Sequence, residues 1–218
     1  MTIWRHPSDE TLMRHAAGRL SPALSLTVAV HLESCAACRE NVRLFEAAGG
    51  ALLADLKPAK ISDSSLERLF ARIDSGEVAP APRPRPAPPT LSNGFVLPAA
   101  MAGCDIGPWR SVAPGLGWAR VRLPGAPKER AVLLKIAAGK AAPMHDHRGL
   151  ELTQVLYGRF SDGRGTYGPG DLVEADVDTR DHQPLVTEDG ECLCLAALEA
   201  PLRIHSLIGR LFQPLMGI

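Results

Sequence analysis

Two groups of residues in this 218-residue sequence have the types and spacing for metal chemistry. The first is His145, His147 and Glu151, with His182 further along the chain. Their steps of two and four put all three on one side of an extended backbone. The run Gly168, Pro169, Gly170, Asp171 marks a tight turn, and His182 comes after it. Three imidazoles and a carboxylate, drawn from two segments separated by a hairpin, can hold one divalent ion. Zinc, iron, manganese and nickel all accept such donors, and the ligand types do not choose among them. The plainer alternative is scattered surface polar groups, but alternation together with the later His favours the metal.

The second group is His31-x3-Cys35-x2-Cys38. On a helix these lie about one turn apart. Two thiolates with imidazoles make a closed tetrahedral zinc site of the structural kind. The fourth ligand must come from elsewhere. His6, just before the first expected helix, is the best candidate, and His15 on that helix is its rival. Cys35 and Cys38 could instead be small buried hydrophobes, but a His on the same apolar stripe would then need another partner.

The elements that position these residues differ between the two halves. Ser8 reads as a helix N-cap, with Asp9 and Glu10 opposing the dipole in the first turn and Leu12, Met13, Ala16 and Leu20 at helical spacing. Gly18 and Ser21-Pro22 end that helix and start another. Leu24, Val28, His31, Cys35, Cys38, Val42, Phe45, Gly49, Leu52 and Leu56 then form one seam in steps of three and four. The pattern fits one helix, or two with a break near Ser34. A fourth helix is expected from Asp63 or Ser64, with Glu67 completing a capping box and Leu66, Leu69, Phe70 and Ile73 buried. Residues 80–89 hold six prolines and read as a semi-rigid extended spacer. Beyond it the pattern alternates. Ala119, Val121 and Leu123 form one strand, and Val132, Leu134 and Ile136 the next. Glu151, Thr153, Val155 and Tyr157 share the face of the two histidines and should line the interior. Cys192 and Cys194 share one face of a strand over 191–199. The apolar segment 201–218 is expected to pack against the rest. The organisation is therefore a helical domain at 1–77, a linker at 78–91 and a β-rich domain at 92–218.

Composition narrows the function. Charge is balanced at 24 basic and 24 acidic residues and aromatics are 5%, which argues against nucleic acid or an anionic membrane as a direct partner. No apolar run reaches the length of a signal peptide or a membrane span. Five cysteines argue against a full disulfide framework and suit a reducing cytoplasm. No nucleophilic triad, phosphate loop or dinucleotide fingerprint is present.

The pattern H-x-H-x3-E, then G-P-G-D, then a later His resembles the two motifs of the cupin superfamily, an all-β jelly-roll barrel. The match runs over about residues 111–199. Taken with the helical H-x3-C-x2-C and the proline-rich linker, the whole chain resembles the zinc-dependent anti-sigma factors of the ChrR type. That resemblance implies a small all-α zinc-binding domain followed by a cupin barrel. It assigns His6, His31, Cys35 and Cys38 to a zinc, and His145, His147, Glu151 and His182 to a cupin metal. It further implies that the helical domain inhibits an extracytoplasmic-function sigma factor, and that the cupin takes part in the response to singlet oxygen and related oxidants. An open metal position or the thiols Cys104, Cys192 and Cys194 are candidate sensors, although Cys192 and Cys194 read first as buried small residues. Two other readings remain at this level: a cupin metalloenzyme, oxygenase or lyase, with a helical regulatory arm, and a thiol switch in which Cys35 and Cys38 form a disulfide and eject zinc.

Overall fold

The computed structural model describes residues 2–76 and 86–205. Helix α1 (Asp9–Ala16) starts as its sequence dictates, with the Ser8 hydroxyl accepting the Thr11 N–H and two acids in the first turn. Gly18 then takes φ +63, which releases the chain from the helix without strain on a β-carbon. Ser21 caps α2 (Pro22–Ser34) through the Leu24 N–H. The long seam is two helices, not one. Cys35 is extended (φ −104, ψ 103), ends α2 and caps α3 (Ala36–Ala54). Leu24, Val28, His31, Cys35, Cys38 and Val42 are buried, but the seam then surfaces, with Leu52 71% and Leu56 65% exposed.

Helix α4 (Ser65–Asp74) departs from expectation. Leu66, Leu69, Phe70 and Ile73 are all exposed, and no residue of the helix is buried. Its periodicity created an apolar face, but nothing among the described residues covers that face. The capping box is also absent. Ser64 sits at φ −87, ψ 9, without a side-chain cap bond, and its hydroxyl meets Ser62 and Arg68 instead.

The β-rich half holds β1 (Asp105–Ile106), β2 (Arg110–Ala113), β3 (Leu116–Arg122), β4 (Arg130–Ile136), β5 (His145–Asp146) and β6 (Glu151–Tyr157). It continues with β7 (Phe160–Ser161), β8 (Thr166–Tyr167), β9 (Leu172–Ala175), β10 (Leu185–Val186), β11 (Cys192–Leu198) and β12 (Arg203–Ile204). The main antiparallel sheet runs β1-β3-β4-β11-β6-β9, with β2 on β3; β10-β7-β8 and β12-β5 form two smaller sheets. Residues of all three sheets line one apolar cavity of about 250 Å³. This is the jelly-roll barrel that the motifs imply.

Register decides one correction. Val155 pairs with Cys194, but Tyr157 pairs with Leu193, so Leu156 is an extra residue in β6. Such a bulge reverses the facing of the residues beyond it. Tyr157 is consequently half exposed and does not line the interior with Glu151 and Thr153.

Helices and barrel share a single hydrophobic core. Leu12, Leu24 and Val28 join Met101, Val121, Leu133, Leu152 and Leu195 in it, and α2 lies against β6 and β11. On the opposite face of the same sheet Ile136, Val173, Cys192 and Cys194 line the cavity, with Val155 buried in their cluster. That double coverage explains why every residue of β11 is buried. Of the expected linker, residues 77–85 lie outside the described residues. Beyond them Thr90 bridges to Val96 and Leu91 packs against the core. Of the segment 201–218, β12 pairs with β5, Leu202 and Ile204 reach the cavity, and residues 206–218 lie outside the described residues. Among the described residues no helix is long and apolar enough to cross a membrane.

Candidate metal centres

The kink at Cys35 is what builds the helical centre. Cys35 at the end of α2 and Cys38 in the first turn of α3 face His31 of α2, and the segment before α1 brings in His6. His6 Nδ1 lies 3.3 Å from Cys35 Sγ and 3.4 Å from Cys38 Sγ, and His31 Nε2 lies 3.3 Å from Cys38 Sγ. The four donor atoms all fall within 4.8 Å of one another. A tetrahedral zinc with ordinary Zn–S and Zn–N bonds separates its ligands by about 3.3–3.8 Å, so the set fits such an ion. His15 is elsewhere, its Nδ1 3.0 Å from Ser25 Oγ. Among the two candidates for the fourth donor, only His6 joins the cluster.

Protonation suits the same chemistry. A carbonyl only accepts, so His31 Nδ1 donates to Gly170 O at 3.0 Å and leaves Nε2 with its lone pair toward the sulfurs. Burial lowers the His31 pKa, which keeps the ring neutral. Burial, then the hydrogen bond and charge of Cys35, push the Cys38 thiol up to about 12. A divalent cation reverses that logic, because a coordinated thiol gives up its proton.

The second centre lies in the barrel. Strand β5 carries His145, His147 comes just after it, Glu151 opens β6, and His182 joins His145 through reciprocal backbone bonds of 3.1 and 3.0 Å. One donor atom from each of His145, His147 and His182 falls within 4.8 Å of the others. Glu151 Oε2 lies 3.1 Å from His147 Nε2 and 4.0 Å from His145 Nε2. All four side chains are buried. Yet His145 Nε2, His147 Nε2, Glu151 Oε2 and His182 Nδ1 have no protein hydrogen-bond partner. Three grouped imidazoles, with the Glu151 carboxylate beside them on the His147 side and these atoms without hydrogen-bond partners, fit a cation.

The opposite ring nitrogens are held. His145 Nδ1 donates to Pro143 O at 2.8 Å and His147 Nδ1 to Thr179 O at 3.2 Å, while His182 Nε2 meets Asp162 Oδ2 at 3.1 Å. These acceptors fix tautomer and orientation. Burial would raise the Glu151 carboxyl, but the imidazoles beside it, His147 first and then His145, hold it at about 2. Burial brings His182 down to about 4 against the pull of Glu151. One carboxylate and at least one neutral imidazole are thus available as ligands. Asp162 is a residue that the sequence does not single out; twenty residues from His182, it has no spacing signal that marks it.

Cys192 and Cys194 line the cavity beside this centre, with their sulfurs 3.6 Å apart. The hydrogen bond with Cys192, then burial, raises the Cys194 thiol well above its ordinary range, and burial raises Cys104. A protonated thiol is a poor nucleophile. A third group, of acids and a histidine, also carries no signal in the sequence. His205 Nε2 lies 3.0 Å from Asp146 Oδ2, and its Nδ1 lies 3.5 Å from Asp181 Oδ1. The two nitrogens face different acids, so His205 bridges them and fastens the end of β12.

Fold and sites together define a cupin-fold protein whose barrel carries a helical module with a His/Cys centre of its own. Residues 99–200 match the family model described as the ChrR cupin-like domain. The chain is 39% identical over 224 residues to the anti-sigma-E factor ChrR of Cereibacter sphaeroides, covering 100% of both. It also matches a chain in the solved complex of Rhodobacter sphaeroides SigE with the anti-sigma ChrR. There the identity is 36% and the TM-score 0.70, over 91% of this chain and 100% of that one. This chain belongs to the ChrR family of anti-sigma factors.

Proposed function

We propose that this protein is an anti-sigma factor that binds and inhibits an extracytoplasmic-function sigma factor in the cytoplasm, without touching nucleic acid itself. The observation that carries this reading is the full-length correspondence with the anti-sigma relative. The apolar surface of the helices supports it independently. Leu52 and Leu53 at the end of α3 and Leu56 just beyond it, with Leu66, Leu69, Phe70 and Ile73 of α4, are all more than half exposed. A run of this kind is unusual on a monomer surface and marks an interaction site. Two amphipathic helices that lay their apolar faces on a partner would bury a surface of the standard size for a stable complex.

In this reading His6, His31, Cys35 and Cys38 hold zinc, and His145, His147, Glu151 and His182 hold a divalent ion in the cupin. The zinc supplies a fixed junction between the N-terminal segment, α2 and α3. The protein's own residues do the rest. The kink at Cys35 sets the angle between α2 and α3, and α3 and α4 present the docking faces. The cupin receives an oxidant signal and release occurs as a population shift away from the sigma-binding state. The role is regulatory and not enzymatic, as for the family.

The test is in vitro transcription by the cognate sigma factor with the full-length, zinc-loaded chain. Stoichiometric inhibition is expected. Undiminished transcription at saturating protein would remove the reading.

A further inference from the structure

We propose that the barrel turn at residues 168–171 is the outer shell of the helical metal centre, with Asp171 as its positioning residue. The barrel thereby sets how tightly the helical centre holds its ion. This rests on the reading of His6, His31, Cys35 and Cys38 as a zinc set.

Two of those four ligands are held from this one turn. Asp171 is buried, and its Oδ1 accepts the backbone N–H groups of Trp4 at 2.7 Å and Arg5 at 2.9 Å. The Leu172 N–H donates to Arg5 O at 3.1 Å. The residues immediately before His6 are thus laid against the barrel by three hydrogen bonds, two of them to a charged acceptor, the stronger kind. One residue back, Gly170 O accepts from His31 Nδ1 at 3.0 Å. The second oxygen of Asp171 accepts the Gly168 N–H at 2.8 Å and closes the turn on itself. Gly170 stands at φ +91, a conformation that a residue with a β-carbon enters only with strain, so the carbonyl that holds His31 has a defined direction.

The turn is in its own right fastened to the barrel site's strand. The Gly170 N–H donates to Val155 O at 2.9 Å, and the Val155 N–H donates to Asp171 O at 3.0 Å. Val155 lies on β6, the strand that Glu151 opens. One strand therefore carries a candidate ligand of the barrel ion at its start and the support of the helical ion further along.

Loss of an outer-shell partner weakens a metal site about 10–100-fold. The experiment uses the full-length chain stripped of metal and titrated with cobalt(II) alone. Thiolate ligation produces a sulfur-to-cobalt absorption band, assigned to the helical centre by its loss in Cys35→Ser. Asp171→Ala should move the midpoint of that band about 10–100-fold to higher cobalt and change the ligand-field bands beside it, while the cobalt bound without thiolate absorption keeps its affinity. Asp171→Asn, which retains an acceptor for Trp4 and Arg5, should fall in between, and it carries the test should the alanine variant not fold. Glu129→Ala is the control. Glu129 accepts the Ala23 N–H at 3.2 Å, a tie between α2 and the barrel that lies eight residues from the nearest ligand, and its loss should leave the band in place. Asp171 variants that titrate like the parent overturn the proposal, as does a Glu129→Ala shift equal to theirs. A parent chain without a thiolate band overturns the zinc reading itself, and this proposal with it.

Discussion

Asp162 does for His182 what two backbone carbonyls do for His145 and His147, but it does so with a charge. It also accepts from the Tyr167 hydroxyl at 2.8 Å and pairs with Arg164 at 2.8 Å, so its carboxylate is locked in place. Asp162→Asn keeps the shape and removes the charge behind the ring. The expected result is a loss of about tenfold or more in metal affinity at the barrel centre, read by competition with a chromophoric chelator, and no change at the helical centre. Cys38→Ser tests the other site. A hydroxyl there cannot supply a thiolate, so the chain should retain one ion fewer after dialysis, by elemental analysis. A full complement of metal in Cys38→Ser would count against Cys38 as a ligand.

At the scale of elements, the contrast between α2 and α4 is the informative one. Both carry apolar residues at helical spacing, yet α2 buries its stripe against the barrel while α4 leaves Leu66, Leu69, Phe70 and Ile73 in solvent. Substitution should separate stability from binding accordingly. Phe70→Asp on the exposed face should leave folding stability within about 0.5 kcal/mol. It should cost at least about 2 kcal/mol, roughly thirtyfold, in sigma-factor affinity if Phe70 is an anchor of the interface. Thermal melts and calorimetric titration measure the two effects. An unaltered affinity would move the docking surface off α4.

For the whole molecule, the shared core makes a prediction that two independent domains would not. Leu24 belongs to α2 but packs in one cluster with Val121, Leu133 and Leu195 of the barrel. Leu24→Ala should cost about 2–5 kcal/mol and lower the unfolding temperature by roughly 5–15 °C for a chain of this size. The shift should be the same by helical circular dichroism and by the fluorescence of Trp109 and Trp118, with Trp4 replaced by Phe so that only barrel tryptophans report. A shift in the helical signal alone would show that the halves unfold separately.

Much of this protein is written in local pattern. The Ser8 and Ser21 caps, the helical seam, the strand alternation, and the spacings H-x3-C-x2-C and H-x-H-x3-E depend on neighbours a few residues away, and periodicity reports such neighbours. Whether His6 or His15 lies beside the cysteines is open in the sequence because it depends on where the N-terminal segment returns in space, and there Arg5 bonds to Asp171, 166 residues away. The same holds for Asp162 behind His182, for the bulge at Leu156 that turns Tyr157 outward, and for the single core beneath two sequence-distinct halves. Whether an apolar face is buried is likewise a tertiary matter: α4 has the pattern of a packed helix, but periodicity records only that a face exists and not whether a surface within the same chain meets it.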